Sequence, residues 1–247
     1  MSDHDRREPE SRPDARAVAA AVEDLWDRLI ELASRVGPDD RSLSTPCPGT
    51  DVGGLISHVA GVHAATRGDH GAPDALVDSL RRARAAQVAA WGGGGQGRPG
   101  AVNQTLHRRL LQASCLDLWV HTYDLATAIG EPVDLGEDSP ALGEAWRYLS
   151  EHLPRLLARR SGLGGDSTVR IVVRGAVDHD AVAAVRDGRG LWSPDRCGVE
   201  HMVSGEPGAL VLLLSGRGDP EHWRQQGALE WSGATGEAFV RGARLFG

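Results

Sequence analysis

Apolar residues recur at three- and four-residue steps through the first 160 positions, and in alternation or short blocks after them. From Asp14 the stripe Val18, Val22, Leu25, Leu29 and Leu32 predicts an amphipathic helix, stopped by Gly37-Pro38. Leu43 to Gly49 carries two prolines and reads as a rigid turn. Asp51 suits the N-cap of a second helix over 52–67, and Pro73 the first turn of a third that runs to Trp91. Gly92 to Gly95, with Gly97-Arg98-Pro99-Gly100, reads as a flexible connector. A fourth helical pattern spans 101–129 and stops at Gly130. A fifth spans 138–160 and leads to Ser161-Gly162-Leu163-Gly164-Gly165.

Beyond those glycines the period changes. Thr168 to Arg174, Leu191-Trp192 and Val199 to Val203 predict strands, and Ala228 to Trp231 a further short one. Pro207 to Ser215 and Thr235 to Leu245 predict helices. The expectation is an α+β fold: a frayed tail at 1–13, a four-helix bundle within 14–160, and a small α/β domain at 166–247.

The chain has 247 residues, of which 40% are hydrophobic and 25% charged, an ordinary balance for a globular protein able to bury a substantial core. A net charge of −7 without a basic patch argues against nucleic-acid binding. All 27 basic residues are arginine, which fits a GC-rich coding bias rather than a function. The charged N-terminus has no apolar core of a signal peptide, and the longest apolar run, Ala209 to Leu214, is too short for a bilayer. Cys47, Cys115 and Cys197 are odd in number and widely spaced, suggesting no disulfide framework. A reduced, cytoplasmic protein away from membranes is the expectation.

The fourth helix holds the candidate chemistry. At about 100° per residue, Asp117, His121 and Asp124 fall within roughly 60° of one another. Leu106, Leu110 and Ala128 share their direction, while Arg108, Gln112, Trp119 and Tyr123 lie opposite. The stripe is expected to face the core, where ionisable groups must be paired, hydrogen-bonded or bound to metal. An acid and a histidine at i, i+4 can point at one ion, or simply hold a buried hydrogen bond. The second helix adds His58 and His63; periodicity places His63 slightly nearer its apolar stripe and settles nothing.

Thr45-Pro46-Cys47-Pro48-Gly49, followed by Val52, Leu55 and His58-Val59-Ala60-Gly61-Val62-His63, resembles the opening motif of the maleylpyruvate isomerase family of mycothiol-dependent metalloenzymes. Asp117-Leu118-Trp119-Val120-His121-Thr122-Tyr123-Asp124-Leu125 is similar to that family's second motif, and Gly208 to Arg217 resembles its small C-terminal domain. The resemblance covers nearly the whole chain. It implies a DinB-like bundle and a divalent metal, zinc being the expected ion, held by His58, Asp117 and His121. A member of the family has glutamate where Asp117 stands, and the tryptophan common after the Pro-Cys-Pro-Gly turn is replaced by Thr50.

Two imidazoles and a carboxylate leave one position open on zinc, as in catalytic sites. A free thiol is mostly protonated at neutral pH, and metal coordination removes its proton. Mycothiol or a similar small thiol could then attack an electrophile, giving cis–trans isomerisation if it leaves again and S-transfer if it stays. Water at the same position would make a hydrolase. A non-catalytic metal-binding or regulatory protein is the reading from another class. Asp124 is the candidate catalytic acid or base, or orients a ligand imidazole. Arg217 could hold an acidic substrate or cofactor by a bidentate contact. Cys47 reads as a small buried hydrophobe, Arg81-Arg82-Ala83-Arg84 as a solvated face, and Gly92 to Gly95 as linker without a phosphate-loop ending.

Overall fold

The structure, a computed structural model, describes residues 15–61, 73–92, 101–136, 138–160, 166–175, 177–196, 198–242 and 244. His63, Cys197, the N-terminal tail and the glycine-rich stretch at 161–165 lie outside them. Helix α1 (Ala15–Ser34) buries the expected stripe of Val18, Val22, Leu25, Leu29 and Leu32, and adds Trp26. A short 3-10 helix (Asp39–Ser42) leads into the proline turn. There Gly49 takes φ +73°, Thr45 Oγ1 donates to the Thr50 carbonyl at 2.9 Å, and Ser44 bridges Asp51. The turn therefore delivers Asp51 as N-cap of α2 (Val52–Val59), where its carboxylate accepts from Gly54 N at 2.7 Å.

Helix α2 is shorter than its apolar pattern implies. It ends at Ala60, and Gly61 turns into the left-handed region at φ +68°, a common helix stop. Helices α3 (Pro73–Gly92), α4 (Ala101–Ala128) and α5 (Pro140–Arg160) follow. Helix α4 packs on α1, α2 and α5, and α1 also meets α3 and α5.

The expected inward face of α4 needs correction. Leu106 and Leu110 are exposed, at 57% and 54%, whereas Gln112 and Trp119 from the side expected to face solvent are buried at 6% and 3%. Apolar residues occur on every side of this helix, so its period carries no strong direction, and neighbours on several sides bury most of it between Cys115 and Ala126, Asp117 excepted. Gln112 is accommodated by donating to buried Glu144 at 2.7 Å, and Arg147 neutralises that carboxylate.

The C-terminal part is a five-stranded mixed sheet in the order β3-β2-β1-β4-β5, made of β1 (Ser167–Val173), β2 (His179–Arg186), β3 (Arg189–Ser193), β4 (Met202–Gly205) and β5 (Leu229–Ser232). Strands β1 and β4 are parallel and the other neighbours antiparallel. Helices α6 (Pro207–Leu214), α7 (Pro220–Gln225) and α8 (Gly233–Gly242) complete an α+β fold. Strand β2 and helix α7 were not expected. In β2 the alanines 181, 183 and 184 have weak strand preference and hide the alternation. Among the described residues no helix is long and apolar enough to cross a membrane.

One contiguous core joins helices and sheet. Helix α5 carries the connection by packing on β2, β3 and α6. At the crossing of α5 and β3 the backbones nearly touch: a Cβ on Gly190 would lie 1.6 Å from the Pro154 carbonyl oxygen. Glycine is required there by proximity, since any side chain must separate the helix from the sheet. Gly190→Ala is expected to cost about 3 kcal/mol, read as a lower denaturation midpoint with unchanged slope.

Candidate functional site

The site is assembled from α2, α4 and the turn after α6. His58 sits in the last turn of α2 and is exposed. Asp117, His121 and Asp124 descend one side of α4 from solvent into the interior. The Asp117 side chain is 65% exposed, His121 is 6% exposed, and Asp124 is wholly buried. Arg217 reaches Asp124 because α6, buried at every position, ends in a glycine reversal. Gly216 and Gly218 both have positive φ, and Arg217 N donates back to the Leu212 carbonyl at 2.8 Å.

The deepest contact is the ion pair. Arg217 donates to Asp124 through Nε, at 3.2 Å from Oδ1, and through Nη2, at 2.9 Å from Oδ2. Its Nη1 donates to the Ser215 carbonyl at 2.7 Å. Arg217 was expected at an acidic substrate or cofactor; its bidentate face instead holds a carboxylate of the chain itself. Asp124 Oδ2 lies 3.2 Å from His121 Nδ1. A carboxylate so paired can only accept, so Nδ1 carries a hydrogen, and whenever the ring is neutral the lone pair lies on Nε2. Asp124 is wholly buried, with its carboxylate against the imidazole of His121 and the guanidinium of Arg217.

At the outer end His121 Nε2 lies 3.5 Å from Asp117 Oδ1. The rings of His58 and His121 meet edge to face, with centroids 5.3 Å apart. The structure thus brings His58, Asp117 and His121 together at one mouth. For His121, burial opposes protonation, but Asp117 and Asp124 outweigh it and raise the imidazole to about 9. For Asp117, burial favours the neutral acid, but His121, His58 and Arg217 hold the carboxyl below its usual range.

A divalent cation can be tested against these side chains. Among the described residues no group of three or more His, Cys, Asp or Glu side chains is arranged to hold a metal ion. Two of the three donors nevertheless stand at a suitable separation. Ligands each about 2.0–2.1 Å from a tetrahedral zinc lie roughly 3.4 Å apart, close to the 3.5 Å between His121 Nε2 and Asp117 Oδ1. The third, His58, is exposed, and its ring meets that of His121 edge to face. As placed, the three side chains offer one close donor pair and no complete metal site.

The fold narrows the reading. It is similar to the mycothiol-dependent maleylpyruvate isomerase. Solved structures of that enzyme, and of a mutant with one histidine replaced by alanine, each align with a TM-score of 0.56 at 16% identity, covering 89% of this chain and 93% of that chain. No protein-family model and no curated sequence matches the chain. At that identity the likeness is one of fold, and it extends across both the helices and the sheet.

Two features escaped the sequence reading. One is the partner of Arg217, which lies 93 positions away. The other is a groove of about 680 Å³ along α4, which Asp117 lines. Leu110, expected in the core, lines this groove.

Two expected outcomes follow. Because the folded-state value of His121 is raised from about 6.5 to about 9, its contribution to stability is complete below pH 6.5 and disappears as pH climbs through 9. In metal-free protein this is roughly 3 kcal/mol, seen as a falling urea midpoint between those values, and Asp117→Asn should flatten the fall. Arg217→Met strands a buried carboxylate and should cost about 3–5 kcal/mol; adding Asp124→Asn should recover part of the loss in the same measurement.

Proposed function

We propose that this chain is a metal-dependent enzyme that uses mycothiol or a similar small thiol against a small electrophile. What supports the reading is the placement of His121 beside both His58 and Asp117, with Asp117 also lining a groove, on a fold similar to a mycothiol-dependent isomerase. In this reading the three side chains hold a divalent cation, with zinc the best match to two imidazoles and one carboxylate. The bound cation would supply the Lewis acidity that keeps a thiol ionised at neutral pH.

The residues of the chain do the rest. Asp124 and Arg217 fix the His121 ring so that Nε2 faces the donors and Nδ1 stays protonated. Asp117 and His58, both open to water, leave a path for the thiol, and the adjoining groove gives the electrophile a place beside it. Addition of the thiol to a conjugated double bond, rotation and departure give isomerisation; protonation of the adduct gives S-transfer. The cysteines of the chain are not needed as nucleophiles, and burial, with help from Glu144, pushes the Cys115 thiol to about 12.

His121→Ala is expected to lose both bound metal, by elemental analysis after dialysis, and thiol-dependent turnover, by mass spectrometry of conjugates. His58→Ala should weaken metal binding while leaving the fold intact by circular dichroism. Full thiol-dependent activity in metal-free His121→Ala protein would overturn the proposal, and stoichiometric metal without thiol binding would mark a non-catalytic metal protein instead.

A further inference from the structure

The groove that opens at Asp117 has a composition that discriminates between ligands. Its volume, about 680 Å³, is that of a site for a small organic molecule. Trp26, Trp91, Tyr148 and Leu110 set its walls, drawn from α1, α3, α5 and α4. None of the described residues that line it is basic, and Asp117 is its charged member.

Its polar equipment is a short chain of hydrogen bonds. Trp26 Nε1 donates to Gln87 Oε1, and Gln87 Nε2 donates to Ser114 Oγ at 3.0 Å. Ser114 Oγ is therefore used as an acceptor, and a hydroxyl that accepts in this way keeps its own hydrogen to donate. Ser114 precedes Asp117 by one turn of α4, so the two share a face. A carbonyl oxygen at Ser114 would set a conjugated carbon–carbon bond along the wall toward the Asp117 end.

A dicarboxylate such as maleylpyruvate is a poor match. One carboxylate could pair with a cation at the Asp117 end, but the other would lose water among indole and phenol rings, where none of the described lining residues carries a positive charge. A polyhydroxylated thiol such as mycothiol is equally mismatched, since most of its hydroxyls would be left unpaired. Building on the proposed function, we propose that the groove holds the electrophile, and that this is an uncharged α,β-unsaturated carbonyl compound with an apolar, aryl-sized body. The thiolate sulfur bonds to the β-carbon and the π electrons move onto the carbonyl oxygen, which Ser114 O–H supports. A solvent proton then reaches the α-carbon, leaving a saturated thioether with no change of overall oxidation state.

The test measures binding to the full-length protein without thiol, by equilibrium dialysis and by quenching of tryptophan fluorescence. Probes are 4-phenylbut-3-en-2-one, styrene as the same body without a carbonyl, and maleate. The ketone is expected to saturate the protein at least tenfold more tightly than maleate. Ala113→Trp, which fills the groove, should weaken ketone and styrene more than tenfold with metal content unchanged. Ser114→Ala should weaken the ketone roughly fivefold and leave styrene as it was, which decides the matter should the bulky variant fail to fold. Maleate binding as tightly as the ketone, or a ketone affinity that neither variant changes, overturns the inference. Loss of this preference with thiol-dependent turnover intact removes the groove assignment alone. Groove binding as described, in a protein with no thiol-dependent turnover, removes the proposed function and leaves the groove assignment standing.

Discussion

The buried pair between Asp124 and Arg217 is the constraint on which the site depends. Two charges taken out of water are tolerated when geometry and additional hydrogen bonds compensate their desolvation. Here the guanidinium grips both carboxylate oxygens, its remaining arm is closed by the Ser215 carbonyl, and His121 adds its own hydrogen. The pair joins the C-terminal end of α4 to the turn after α6 through a polar contact inside an otherwise apolar core. It also fixes which ring nitrogen of His121 faces outward, which a helix position alone cannot do.

Along α4, accessibility grades the chemistry. Asp124 is sealed, His121 shows an edge, and Asp117 stands open beside the groove. A buried anion, a shielded imidazole and an accessible carboxylate thus follow one another at three- and four-residue steps on a single element. Precision at the mouth is inherited from the packed end of the same helix, and it does not rely on loops.

Much of this was legible in the sequence, for physical reasons that differ from residue to residue. The stripe of α1 declares itself because polar residues fill its other side, and Asp51 is readable as a cap because a short carboxylate ahead of a helix has little else to bond. The clustering of Asp117, His121 and Asp124 follows from helical geometry alone. The direction they face did not, because a helix apolar all round has no preferred side; Leu110 lines a groove while Gln112 is buried against Glu144. Strand β2 was hidden by its alanines. The role of Arg217 was out of reach, since nothing local to Ser215-Gly216-Arg217-Gly218 names a partner on α4.

The reversal that carries Arg217 has a consequence for how the protein comes into being. During synthesis the histidines and acids of the mouth emerge long before the arginine that aligns them. Until α6 has packed against α5 and α4 and its closing turn has swung inward, the imidazole has its carboxylate but no counter-charge to hold that carboxylate still. The centre therefore matures only when nearly the whole polypeptide is in place, and a product truncated ahead of that turn would carry the donors without the alignment.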